Sequence, residues 1–148
     1  MIPIHKTTHV PLSPAEAFDL FMANLDTWWP KDRHASDPTA KLIVEPRKNG
    51  RIIEFCADGT QIHWGTIIGW DADRYMAFTW HPDGDEDAAT VVAVSFKQTA
   101  DGCQLDLTHG GFDVLGDTAD AVSTSYLIGW DLTLGSYCFA ASKLRVIA

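Results

Sequence analysis

The amino-acid sequence predicts an α+β fold: a curved antiparallel β-sheet wrapped around a long C-terminal α-helix, with two short helices after the first strand. Three observations predict it. Between residues 41 and 109, short segments of alternating polarity follow one another, separated by turn signals such as Asp58-Gly59 and Asp101-Gly102. From Asp117 to Leu144 the chain has no proline and few charges, and Leu127, Trp130, Leu134, Cys138 and Ala141 recur at helical spacing. Before the strand-rich middle, Ser13, Pro14 and Glu16 spell a capping box, the signature of a helix start. A sheet with one apolar face per strand satisfies a long apolar helix by curling round it, and strong curvature leaves space between the two.

Each element follows from its own pattern. Ile2 to Val10 reads as a strand fenced by Pro3 and Pro11. The capping box opens a helix that carries Ala17, Phe18, Phe21 and Met22 on one face and fades near Asn24. Asp26 to Pro30, with Trp28 and Trp29, forms a second helical turn, and Lys31 to Thr39 a polar loop. Lys41 to Glu45 and Arg51 to Phe55 are strands joined by a turn over Pro46 to Gly50. Gln61 to Trp70 alternates, which places Ile62, Trp64, Thr66, Ile68 and Trp70 on one face and His63 on the solvent side. After a turn at Asp71 to Asp73, Arg74 to Trp80 groups Met76, Phe78 and Trp80. The loop His81 to Asp87, with Asp83, Asp85, Glu86 and Asp87, reads as a solvated acidic tip. Ala88 to Lys97 carries Val92, Val94 and Phe96; Cys103 to His109 carries Cys103, Leu105, Leu107 and His109. The last helix runs for about 28 residues, or roughly 40 Å. Tyr126, Ile128, Leu132, Tyr137 and Phe139 widen its apolar arc, which predicts burial on more than one side.

Composition narrows the function. The 148 residues match one domain, spanning 1–148, and a hydrophobic content of 46% supports a packed core and excludes disorder. A net charge of −9 with no basic run excludes nucleic acid as a partner. The apolar runs are too short for a membrane span. The start has no signal-peptide pattern, and Cys56, Cys103 and Cys138 form no C-x-x-C pair, so reduced thiols in the cytoplasm are expected. No Gly-rich phosphate loop or nucleophile elbow occurs, so no cofactor is expected. His5 and His9 lie four apart on a strand, roughly 13 Å, too far to share an ion, and no metal is expected. Arg47, Arg51 and Glu54 read as surface charges.

Several segments carry a family resemblance. They are Pro14-Ala15-Glu16-Ala17-Phe18, Trp28-Trp29-Pro30, Glu45-Pro46-Arg47 through Gly50-Arg51, Asp58-Gly59 with Trp64-Gly65, Trp70 with Phe78-Thr79-Trp80, Leu107-Thr108-His109, and Gly129-Trp130. On these the chain resembles the START-like helix-grip superfamily (SRPBCC), which includes lipid carriers, pollen-allergen-like proteins and polyketide cyclases. Within it, the chain resembles the family named for the activator of the heat-shock-protein-90 ATPase. Asn49 stands where that family often has a second glycine; Asn tolerates positive φ, so the turn is expected to survive.

The expected function is a small-molecule binding or carrier protein that holds an apolar or aromatic ligand between sheet and C-terminal helix. Trp64, Phe78, Trp80, Leu107, Tyr126, Trp130 and Leu134 are expected to line the site, with Trp28 and Trp29 at one mouth. His109 shares the parity of Leu105 and Leu107, which turns it inward to orient a polar group of the ligand. The tryptophans either line a cavity or fill it, and the partners of their indole N–H groups distinguish the two. Two alternatives accompany this reading: a cyclase- or hydrolase-type enzyme with His109 as acid–base, and a chaperone-associated interaction module, as the family name implies. Edge strands also allow a homodimer.

Overall fold

A computed structural model describes residues 1–33, 37–82 and 85–147. Along the chain come β1 (Ile4–Val10), α1 (Pro14–Phe21), α2 (Leu25–Trp28), β2 (Lys41–Val44), β3 (Arg51–Phe55), β4 (Gln61–Asp71), β5 (Tyr75–Trp80), β6 (Thr90–Gln98), β7 (Cys103–Gly110) and α3 (Ala119–Ile147). Short 3-10 turns occupy Lys31–Arg33, Glu86–Ala88 and Phe112–Thr118. The strands form one seven-stranded antiparallel sheet in the order β1-β7-β6-β5-β4-β3-β2. Strands β2 to β7 are a meander, while β1 pairs with the far side of β7, so α1 and α2 carry the chain from one sheet edge to the other. This is the helix-grip architecture. No helix among the described residues is long and apolar enough to cross a membrane.

Local chemistry fixes the joints. The Ser13 hydroxyl accepts from the Glu16 amide at 3.2 Å, and the Ser13 amide donates to the Glu16 carboxylate at 3.0 Å, closing the capping box of α1. Asp26 on α2 accepts from the Leu42 amide at 2.8 Å and pins that turn to β2. The Tyr137 hydroxyl donates to the Ala17 carbonyl at 2.8 Å, tying α3 to α1. Asn49 adopts a φ of 68°, the left-handed conformation its turn requires.

Three expectations are corrected. The alternation along β4 breaks twice, with register shifts against β3 at Ile52/Ile53 and against β5 between Ile67 and Gly69. Each extra residue flips the side-chain parity, so Trp64 and Ile67 are fully buried while Ile68 is 46% exposed. Helix α3 buries one face, along Ala119, Trp130, Thr133, Leu134, Tyr137 and Ala141; Leu127, Ile128, Leu132 and Phe139 stand in solvent, because the sheet and the short helices cover one side of it. Glu54 is fully buried, where its carboxylate accepts from the Trp64 indole at 3.0 Å; Arg47 and Arg51 are exposed and pair with Glu45 instead. Asp83 of the acidic tip lies outside the described residues.

Candidate functional site

A cleft of about 300 Å³ opens between α3 and the β4–β5 side of the sheet, a volume at the lower end of small-molecule sites. Its aromatic walls are Trp29, which follows α2, Trp64 on β4, Trp80 at the end of β5, and Tyr126 and Trp130 on α3. The Trp29, Trp64 and Trp80 rings pack with centroids 5.5–5.6 Å apart, and Trp29 meets Trp130 at 6.2 Å. These tilted and edge-to-face contacts are the favoured ones for aromatic rings, so the walls hold their own shape. Asp32, Arg33, Ser125 and Thr133 supply the polar groups of the lining.

Five indole N–H groups, among them those of all four tryptophans at the cleft, are spent on protein. Trp28 donates to the Leu20 carbonyl at 2.9 Å, Trp29 to the Arg33 carbonyl at 3.4 Å, and Trp64 to Glu54. Trp80 donates to the Tyr126 hydroxyl at 3.1 Å and Trp130 to His109 Nδ1 at 3.0 Å. The indole walls therefore present ring faces and edges to the cleft rather than hydrogen-bond donors.

His109 is fully buried and faces inward with Leu105 and Leu107, as its parity suggests, but it does not line the cleft. An indole only donates, so Nδ1 accepts from Trp130 and the ring proton sits on Nε2. Nε2 then donates to the Thr90 hydroxyl at 2.7 Å, and Thr90 donates onward to the Trp80 carbonyl at 3.2 Å. Burial lowers its pKa from 6.5 to about 4, which keeps the ring neutral. Both nitrogens are engaged and the ring is absent from the cleft lining, so His109 offers a ligand neither a lone pair nor a proton. Its packing partners are Phe112 and Tyr126, with centroids 4.6 and 4.7 Å away.

Of the expected lining residues, the structure brings Trp29, Trp64, Trp80, Tyr126 and Trp130 together at the cleft. Trp28, Phe78, Leu107 and Leu134 are buried away from it. Trp28 packs instead between Phe21 and Tyr137, with centroids at 5.2 and 5.0 Å. Sequence reasoning missed Asp32, Arg33, Ser125, Gly129 and Thr133. The last three carried a readable signal: small residues at i, i+4 and i+8 on α3, beside Tyr126 and Trp130. A Cβ at Gly129 would fall 3.1 Å from Arg33 Nη1, so the missing side chain makes room for the guanidinium. A wider groove of about 710 Å³ among Glu16, Asn24, Thr27 and Lys143 lies on the outer side of α1 and α3 and has no aromatic wall.

The family model for Activator of Hsp90 ATPase homolog 1-like proteins matches residues 11–134. The chain belongs to that family. No curated protein matches it. Among solved structures, the Activator of Hsp90 ATPase homolog 1-like chain is similar to Txn09, an anthrahydroquino-gamma-pyrone synthase complexed with SUM. That pair shares 27% identity and a TM-score of 0.65 over 93% of this chain and 96% of the other. It is also similar to the Aha1 dimer from Colwellia psychrerythraea, at 14% identity, TM-score 0.67, and coverage of 95% and 96%. A protein of unknown function, SA2116 from Staphylococcus aureus, follows at 12% identity, TM-score 0.68, and coverage of 99% and 96%. This family fold fits a ligand-binding role.

Proposed function

We propose that the chain binds a flat, apolar or aromatic small molecule in the cleft between sheet and α3, as a binding or carrier protein. The observation that carries this reading is the set of indole walls whose N–H groups are already satisfied. Such walls favour stacking and edge contacts with a ring system, while Arg33, Ser125 and Thr133 meet a polar substituent. The likeness to an anthrahydroquino-gamma-pyrone synthase supports the same ligand class.

The test is a titration of intrinsic tryptophan fluorescence with hydroxylated anthraquinones, with native mass spectrometry of the mixture. Saturable 1:1 quenching is expected, and Gly129→Leu, which fills the cleft, is expected to abolish it with the circular dichroism spectrum intact. Quenching that survives in folded Gly129→Leu would refute the site.

The same likeness favours a second reading as a cyclase-type enzyme. With His109 enclosed, the acid–base group falls to Asp32, the carboxylate among the described lining residues. Conversion of the bound compound, lost in Asp32→Asn, would move the assignment from carrier to enzyme. For the partner surface, Ile128, Leu132 and Phe139 share one exposed face of α3, and a relative was solved as a dimer. We infer that a second copy covers this face. Sedimentation velocity is expected to show a dimer that Leu132→Glu dissociates; a monomer at all concentrations overturns the inference.

A further inference from the structure

The acidic loop and the β4 bulge bring together three residues that the cleft does not use. They are His63 on β4, His81 just after β5, and Glu86 at the start of the 3-10 turn Glu86–Ala88. One ligand atom from each lies within 4.8 Å of the others. The His81 amide donates to the Trp64 carbonyl at 2.6 Å, which holds the end of β5 against the bulge. The two imidazoles meet edge to face, with centroids 4.9 Å apart.

The hydrogen bonds specify what this cluster lacks. His63 Nε2 lies 2.7 Å from the Gly65 carbonyl, which only accepts, so Nε2 carries a proton. In the neutral ring Nδ1 is then a lone pair, and it faces the Glu86 carboxylate at 2.6 Å. Two acceptors at that distance need a positive centre. Anchoring the far nitrogen on a backbone carbonyl is also how metal-bound histidines are oriented. A proton on His63 would satisfy the pair but leave His81 unexplained. His81 is 3% exposed, and its Nδ1 is buried with no hydrogen-bond partner among the described residues. A buried imidazole nitrogen without a partner is unfavourable unless something occupies its lone pair.

We propose that His63, His81 and Glu86 form a divalent transition-metal site, with zinc the ion that two imidazoles and one carboxylate suit best. Ligand atoms around one tetrahedral zinc lie roughly 3.3 Å apart, given bond lengths near 2 Å. Glu86 makes the adjustment, because its side chain is 64% exposed on a short turn, while His81 is fixed in the buried wall. His81 also lines a cavity of about 190 Å³ that shares Trp80, Pro82 and Tyr126 with the main cleft, so the ion sits beside it. The site stands independently of what the cleft binds.

The experiment uses the full chain without a histidine tag, stripped with a chelator. It is titrated with zinc by calorimetry and with cobalt(II) by visible absorption. One equivalent is expected, with a d–d spectrum free of thiolate charge transfer. Glu86→Gln and His63→Ala are each expected to weaken binding by at least about tenfold. His81→Ala abolishes it; if that variant does not fold, the exposed Glu86→Gln carries the test. No saturable binding, affinity unchanged in Glu86→Gln and His63→Ala, or a thiolate band from Cys56 or Cys138 would each overturn the proposal.

Discussion

His109 sits in a chain of donors and acceptors that runs from Trp130 on α3 through Thr90 on β6 to the backbone of β5. The chain closes only with a neutral ring, and this has a measurable consequence. Unfolded, the imidazole titrates near 6.5; folded, near 4. Between these values the unfolded state holds more protons, so the contribution to stability is complete above about pH 7 and is lost as pH falls from 6.5 towards 4. Its full size is roughly 3 kcal/mol at 1.36 kcal/mol per pKa unit. Urea denaturation at pH 7 and pH 5 is expected to show this loss, and the pH-dependent part is expected to shrink in His109→Gln. The inward direction of His109 was legible from its parity with Leu105 and Leu107. Its role was not, because that depends on Trp130 and Thr90, which approach only in three dimensions.

Strand and helix boundaries were legible where local chemistry sets them. The capping box, the Asn49 turn and the hairpin at Asp58-Gly59 each act over a few residues, and each forms where expected. Strand β4 was misread because a bulge is a relation between two strands, not a property of one. Gly65 marks the spot: a Cβ there would lie 1.9 Å from the Thr79 carbonyl oxygen. Gly65→Ala is therefore expected to destabilise the protein by about 2–3 kcal/mol, measured as a shift in the urea midpoint. Since the Gly65 carbonyl also holds His63, the same substitution is expected to weaken zinc binding. The arc of α3 was overestimated for a related reason. Apolar residues report that a surface avoids water, not whether this chain or a second copy covers it.

At the scale of the whole molecule, the cleft is where three separate parts of the chain meet: the end of α2, the β4–β5 pair and the middle of α3. Residue type identified the aromatic walls, since large rings on inward faces gather wherever the sheet curls. The polar lining was hidden because Asp32 and Arg33 sit in a segment with no periodicity, and their distance from Gly129 depends on the path from β1 to β2. The crowding of the tryptophans has one more consequence. Rings held at fixed tilt and 5.5–6.2 Å do not absorb light independently. Their transition dipoles couple, and coupled oscillators in a chiral arrangement give a signed pair of circular dichroism bands. The amplitude of that couplet reports how tightly α3 is seated on the sheet, separately from how much helix the protein contains.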